Sequence, residues 1–431
     1  MQLIIHRGAH EIGGSCVEIR TNNTRILLDF GMPLVGADRK PFDQKALTGK
    51  SLEELKRLKI LPDIKGLYKD KEKAIDAILL SHSHFDHYGL LSYAHPDIPV
   101  YMSRGAKELI EVSNIFTPNK TGAINYKIIG NKRHFKIGDI TVTPYLVDHS
   151  AFDARAFLLE GEGKRVFYSG DFRAHGRKSV LFRRMVKDPP KDIDCLLMEG
   201  SMLGRDNRPY EDEIAVETKI EQILKEADNI TFLFASSQNI DRLVSAYKAC
   251  LRTKSIFVID IYTAYILDRL RKVSDSIPQF NWKNVRVKFL KNQADTLAKM
   301  VSVQLLYHYN TKKIDIFEIN KKKDRILMLA RKNSIFPRIV KGIDNPSGGK
   351  IIYSMWEGYL TDEFREYAKK KGLEIVRVHT SGHATLEDLK TFASSMDPQV
   401  LVPIHTFNPE KYSELFGNVK MLKDGESFPV E

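Results

Sequence analysis

Apolar residues follow two rhythms along this chain. In the first half they come as short runs broken by Gly, Asn and Asp, as in a β-rich layer. Residues 16–19 and 25–30 flank Asn22-Asn23, a polar pair that favours a tight hairpin. Residues 74–80, 100–103, 140–147, 156–160, 165–169 and 195–198 read as further strands, and 51–59 and 106–115 as helices. Polar residues gather where these strands stop. That pattern predicts a sandwich of sheets with its chemistry at the strand ends.

The rhythm changes near Tyr210. Residues 211–227 read as a helix, 230–235 as a buried strand, 239–252 as an amphipathic helix and 256–262 as a second apolar strand. Strand and helix keep alternating through 325–330 and 350–356, the mark of a parallel α/β layer. Residues 374–379 and 400–405 again look like strands ending in polar residues, similar to those of the first half. The expected organisation is one domain in two pieces, 1–207 and 377–431, with a second domain, 208–376, inserted between them. Trp356, in the last of the alternating strands, is expected in the core, the alternative being a face on which a base could stack.

Composition narrows the class. The chain has 431 residues, 42% of them hydrophobic, enough for two cores. Charged residues make up 28% without long biased tracts, so the chain is expected to fold. The net charge of +12 suits a polyanionic partner but does not identify one. Three cysteines, Cys16, Cys195 and Cys250, lack CxxC spacing, which argues against a disulfide framework and a thiolate zinc knuckle. The apolar run at the start is too short for a signal peptide, and no stretch nears the ~20 apolar residues of a membrane span. A soluble, cytoplasmic protein with no membrane partner is expected.

The strongest chemical signal is Ser81-His82-Ser83-His84-Phe85-Asp86-His87, directly after the apolar run at 75–80. Three imidazoles and a carboxylate so close together are costly to bury unpaired and are good ligands for a borderline divalent ion. The HxHxDH spacing lets one loop aim His82 and His84 at one metal while Asp86 and His87 turn toward a second. His149 ends the run at 140–147, Asp171 follows Gly170, which permits close backbone approach, and His405 follows 400–404. A lone histidine at a strand end is more often a satisfied polar residue. Several in this order form a set.

On these residues the chain resembles the metallo-β-lactamase superfamily, and within it the β-CASP nucleases, over nearly its whole length. Leu27-Leu28-Asp29-Phe30-Gly31 is similar to the first motif, the run from His82 to His87 to the second, His149 to the third and Asp171 to the fourth. Met198-Glu199-Gly200-Ser201 looks like motif A, Ser381-Gly382-His383-Ala384 like motif B, and Ile404-His405 like motif C. The resemblance implies an α/β protein: a metallo-β-lactamase αββα sandwich with a β-CASP α/β domain inserted between motifs A and B. It implies one zinc ion on His82, His84 and His149, a second on Asp86, His87 and His405, Asp171 bridging them, and Asp29 orienting the ligands from behind. Nitrogen and oxygen donors also admit manganese in place of zinc.

The activity implied is hydrolysis of a phosphodiester by a hydroxide held between the two ions. Asp86, Glu199 and His383 are the catalytic residues expected, with His383, paired to Glu199, protonating the leaving oxygen. A histidine in motif B resembles the RNA-processing branch, so RNA is the expected partner. Residues 234–240 and 379–383 look closer to ribonuclease J than to the mRNA 3′-end processing endonuclease. By that resemblance Ser236, Ser237, His379 and Ser381 would contact RNA phosphates. The chain stops soon after motif C, so the extra C-terminal domain of typical ribonuclease J is expected to be absent. Homodimerisation and the balance of 5′→3′ exonuclease and endonuclease activity stay open. Two rivals remain: a small-molecule hydrolase of the same fold, opposed by motifs A to C and the long insertion, and a silent RNA-binding scaffold, opposed by the filled ligand positions.

Overall fold

The computed structural model of the protein describes residues 1–36, 40–118, 120–205 and 211–431. The first sheet takes β1 (Gln2–Arg7), β2 (Cys16–Arg20), β3 (Arg25–Leu28), β4 (Ala77–Leu79), β5 (Pro99–Met102) and β6 (Asn125–Ile128), side by side in that order. Asn22-Asn23 lies in the turn between β2 and β3, an antiparallel pair that sets Val17 opposite Leu28. The second sheet begins with an antiparallel meander of β7 (Phe135–Ile137), β8 (Ile140–Leu146), β9 (Arg155–Gly161) and β10 (Lys164–Tyr168). Strand β11 (Cys195–Glu199) then joins β10 in parallel.

A third sheet follows, all parallel, from β12 (Thr231–Phe234), β13 (Ile256–Asp260), β14 (Val285–Lys288), β15 (Lys313–Ile314), β16 (Ile326–Ala330), β17 (Lys350–Tyr353) and β18 (Glu374–Arg377), in the order β15-β14-β13-β16-β12-β17-β18. The chain then returns to the sandwich. Strand β19 (Val400–Ile404) lies parallel beside β11, and β20 (Ser427–Pro429) pairs with β1.

Side chains alternate across a strand, so each sandwich sheet has two faces to cover. Leu3, Ile5, Val17, Ile19 and Leu28 of the first sheet meet Val142, Phe157, Leu159, Val166 and Leu197 of the second in a shared apolar core. Leu27, Ile78 and Val100 turn outward under Ala106 and Ile110 of the helix Arg104–Phe116. Leu158, Phe167 and Leu196 turn the other way, under Met185 of the helix Ser179–Lys187 and Phe392 of the helix Leu386–Met396. The result is the αββα layering expected from the motifs. The central strands β12, β13, β16 and β17 of the third sheet are buried on both faces, which is why they read as near-continuous apolar runs. Leu233, Phe257, Leu329 and Ile352 pack on one side of it, and Phe232, Val258, Met328 and Ile351 on the other.

Three expectations need correction, and one falls outside view. Residues 256–262 are not a single strand: the Asp260 side chain accepts from the Thr263 N–H at 2.9 Å and starts a new helix, Ile261–Leu270. The strand at 374–377 belongs to the edge of the third sheet, not to a layer like the first half's. Trp356 is not a core residue. It is 53% exposed, because its strand ends at Tyr353 and the chain turns there. The expected boundary at 208 lies outside the described residues.

Two fully buried arginines tie the third sheet's helices to the sandwich. The Arg173 guanidinium donates to Asp241 at 2.6 Å and to the Ser381 carbonyl at 2.9 Å, and lies 3.4 Å from Asp148 and 3.5 Å from Glu213. Arg242 donates to both oxygens of Glu213, at 3.0 and 3.2 Å. A buried charge is tolerable only when paired and hydrogen-bonded, and here the pairing joins the loops beside Asp171, His149 and motif B to one polar cluster.

Candidate metal centre

Strand β4 delivers the histidine loop to the centre of the fold. The chain stays extended through His84, whose backbone starts the short helix Phe85–Tyr88, and this switch brings the His87 ring back beside His82, centroids 4.0 Å apart. Gly31 makes the docking possible: a Cβ there would fall 1.6 Å from the Asp86 carbonyl oxygen. The backbone of Phe30 bonds the His87 carbonyl at 2.8 Å and that of Met32 the Phe85 carbonyl at 3.1 Å, which locks the helix against the strand end.

The remaining side chains arrive from the ends of β8, β10, β11 and β19. Ligand atoms of His82, His84 and His149 lie within 4.8 Å of one another, as do those of Asp86, His87 and His405. Asp171 stands between the two groups. Its Oδ2 is 3.2 Å from His87 Nε2, 3.7 Å from His405 Nε2 and His383 Nδ1, 3.8 Å from His82 Nε2 and 4.0 Å from His149 Nε2. One carboxylate oxygen thus has five imidazole nitrogens around it.

Most of these imidazoles are held by the nitrogen that faces away. His82 Nδ1 lies 3.0 Å from Ser81 Oγ, His87 Nδ1 2.8 Å from Asp29 Oδ2, His149 Nδ1 2.6 Å from the Gly382 carbonyl and His405 Nδ1 2.9 Å from Ser15 Oγ. Asp29 is the hub of this outer layer: it also accepts from the Ser81 N–H and hydroxyl, both at 2.7 Å, and from the Tyr168 hydroxyl at 2.8 Å. Asp29 and His405 both have left-handed backbones, φ 60° and 55°. Such conformations cost about 1–2 kcal/mol for an L-residue and persist where the surroundings dictate them.

The opposite nitrogens test whether a metal fits. Nε2 of His82, His87 and His405 is buried and has no hydrogen-bond partner among the described residues; the 3.2 Å approach of His87 to Asp171 lacks hydrogen-bond geometry. Each buried unsatisfied polar group costs about 1–3 kcal/mol, and three of them converge here. Divalent ions on these nitrogens would remove that cost. Burial pushes His82 and His149 well below their ordinary pKa and His84 to about 4, so they are neutral, as ligands must be. His87 differs. Burial opposes its charge, but Asp171, Asp29 and Asp86 outweigh burial and hold the ring well above its ordinary value.

Glu199, at the end of β11, accepts from the Phe172 N–H at 2.9 Å and lies 3.0 Å from His383 Nδ1. Burial opposes the charge on His383, yet Glu199 and Asp171 raise it to about 9. Of the other residues expected to contact RNA, Ser236 is exposed. Ser237 is buried, bonded to Thr263 Oγ1 at 2.7 Å and to Arg331. The Ser381 hydroxyl accepts from the His383 N–H at 3.0 Å. Burial, then the Arg242 charge, push His379 to about 4, so it would meet an anion as a neutral ring. The structure adds residues that the sequence reading left out: Ser15, Ser81, Tyr168, Arg173 and the Gly382 carbonyl.

Residues 62–231 match the family described as the beta-lactamase superfamily domain. The chain carries a beta-lactamase superfamily domain. Its likeness to curated relatives reaches beyond that segment. Ribonuclease J of Helicobacter pylori is 23% identical in an alignment covering 98% of this chain and 60% of the relative. An RNase J-like protein of Methanocaldococcus jannaschii is 24% identical over 66% of this chain and 63% of its own length. The chain spans about three-fifths of the length of the curated relatives it matches. A crystal structure of a protein of unknown function from Enterococcus faecalis superposes with a TM-score of 0.80 and 24% identity, covering 99% of each chain. That likeness shows a shared fold over the sandwich and the inserted sheet alike. Among the described residues, no helix is long and apolar enough to cross a membrane.

Proposed function

We propose that the chain is a metal-dependent ribonuclease that hydrolyses RNA phosphodiester bonds with two zinc ions. The observation that carries this reading is the convergence on Asp171 Oδ2, with three orphaned imidazole nitrogens buried around it. His82, His84 and His149 would hold one ion, Asp86, His87 and His405 the other, and Asp171 both. Bound divalent ions supply Lewis-acid activation of water and neutralise charge at phosphorus.

The protein's own groups do the rest. Asp29, Ser81, Ser15 and the Gly382 carbonyl hold the imidazoles in place before the ions arrive, which favours binding by preorganisation. With Nδ1 of His383 held by Glu199, its second ring nitrogen is the proton donor for the leaving sugar oxygen. Ser236, Ser237, His379 and Ser381 remain the proposed contacts for RNA phosphates, and a 5′ end held there would favour stepwise 5′→3′ degradation. Three buried, unpaired cysteines suit a reducing cytoplasm.

RNAs labelled at either end, bearing 5′-triphosphate, 5′-monophosphate or 5′-hydroxyl groups, test the reading alongside metal analysis. About two ions per chain are expected, with faster decay of the monophosphorylated RNA. His84→Ala should abolish cleavage while the fold persists. Metal-free protein that cleaves RNA, or His84→Ala acting at the normal rate, would refute the site. Efficient cutting of circular RNA, with linear RNA cut at the same rate whatever its 5′ group, would instead make the enzyme an endonuclease.

A further inference from the structure

An exposed aromatic turn lies outside the packed cores. Trp356 is 53% exposed and Tyr359 52%, although large aromatic side chains normally bury most of their surface. The indole lies back over its own turn. A Cβ on Gly358 would fall 2.3 Å from the six-membered ring, so the indole occupies the place where a side chain at 358 would stand. The Tyr359 ring stands edge-on at 5.2 Å, and the Arg205 guanidinium lies 6.0 Å from the indole centroid. Lys332 braces the turn by donating to the Tyr359 carbonyl at 2.7 Å.

Tyr359 also lines a cavity of about 620 Å³, with Ser236, Tyr262, Arg331, Lys332 and Met355. Ser236, Tyr262, Arg331 and Met355 each lie within two residues of the end of β12, β13, β16 and β17 respectively, at the carboxyl edge where parallel sheets take their ligands. Asp260 fixes the Arg331 guanidinium, which sits 5.1 Å from the Tyr262 ring.

We propose that this turn and cavity form a nucleobase subsite, which stacks an unpaired base of single-stranded RNA on Trp356 and holds the adjoining phosphates beside Arg331 and Lys332. The proposal rests on the ribonuclease reading. Aromatic faces ringed by cations match a strand of bases and phosphates, and stacking accepts every base. The subsite therefore selects single strands over duplexes without selecting a sequence.

The chain has two tryptophans, and Trp282 packs against Tyr247 at 5.4 Å. In the full chain carrying Trp282→Phe, indole emission therefore reports on Trp356. Stopped-flow mixing reads binding before cleavage, using a ten-nucleotide oligoadenylate, an abasic ribose-phosphate chain of equal charge, and the oligoadenylate–oligouridylate duplex. The oligoadenylate should quench Trp356, and the other two should not. Trp356→Ala should weaken oligoadenylate binding about tenfold or more and raise KM rather than lower kcat. Equal quenching by the abasic chain, or unchanged affinity in Trp356→Ala, would overturn the subsite. Quenching by oligoadenylate in a chain that cleaves no RNA would keep the subsite and sink the nuclease reading.

Discussion

Asp29→Asn changes one atom at the base of the proposed metal centre. The backbone should not object, because asparagine accepts a φ of 60° as readily as aspartate. The amide has two orientations. With its NH₂ at the Oδ2 position, three donors, Ser81 Oγ, His87 Nδ1 and Tyr168 Oη, would face another donor. With its NH₂ at the Oδ1 position, only the Ser81 backbone N–H would. The second orientation is the cheaper one, and it leaves one buried N–H unsatisfied at about 1–3 kcal/mol. His87 would then bond a neutral carbonyl instead of a carboxylate, losing the charge-assisted part of that bond, roughly half its strength. A less strongly held and less basic imidazole should bind metal about 10–100-fold more weakly. Zinc titration of metal-free protein against a competing chelator measures this, and thermal unfolding of the same samples measures stability. Unchanged zinc affinity in a folded Asp29→Asn chain would refute the idea that Asp29 prepares His87 for a metal.

Other changes probe separate parts of the argument. His383→Ala should slow RNA cleavage about 10²–10⁴-fold with metal content unchanged; loss of metal would make His383 a ligand instead. Arg173→Met should destabilise the fold by about 3–5 kcal/mol in denaturant titrations, because it removes the fully buried cation shared by Asp148, Asp241 and Glu213, leaving Asp241 with Lys178 and Glu213 with Arg242. Asp260 gives a pH test. Burial alone would raise its carboxyl, but Arg331, Gln293 and Thr263 hold it at about 2. A depressed carboxyl contributes stability above its unfolded pKa of about 4 and loses it as pH falls toward 2, here about 2 kcal/mol. Unfolding curves between pH 5 and 2 should therefore fall more steeply for the natural chain than for Asp260→Asn, and parallel curves would count against the ion pair.

The sandwich strands were legible because their apolar residues alternate or cluster between turn signals, and the HxHxDH run was legible because few other structures need it. The outer layer around the histidines was not. Ser15, Ser81 and Tyr168 are ordinary residues in sequence, and the Gly382 carbonyl has no side-chain signature at all. Residues 256–262 looked like one strand because the apolar run crosses Asp260 unbroken, although an Asp before a Thr three residues on was a helix-start signal. Trp356 looked like core because tryptophan usually is. What overrode that prior was the turn at Glu357-Gly358, where the indole takes the room left by a missing side chain.

The strand pairings also bear on how the chain is made. Strand β19 completes the second sheet beside β11, and β20 covers β1, only after the whole third sheet has been synthesised. Until then β11 and β1 are themselves edge strands of the emerging sandwich, each a template for pairing with another chain. The loop that carries His405 follows β19 directly, so the last ligand arrives with the strand that shields the edge. Synthesis halted ahead of residue 400 would yield a product both incomplete at its centre and prone to associate, and the cell's quality control would meet these two faults as one.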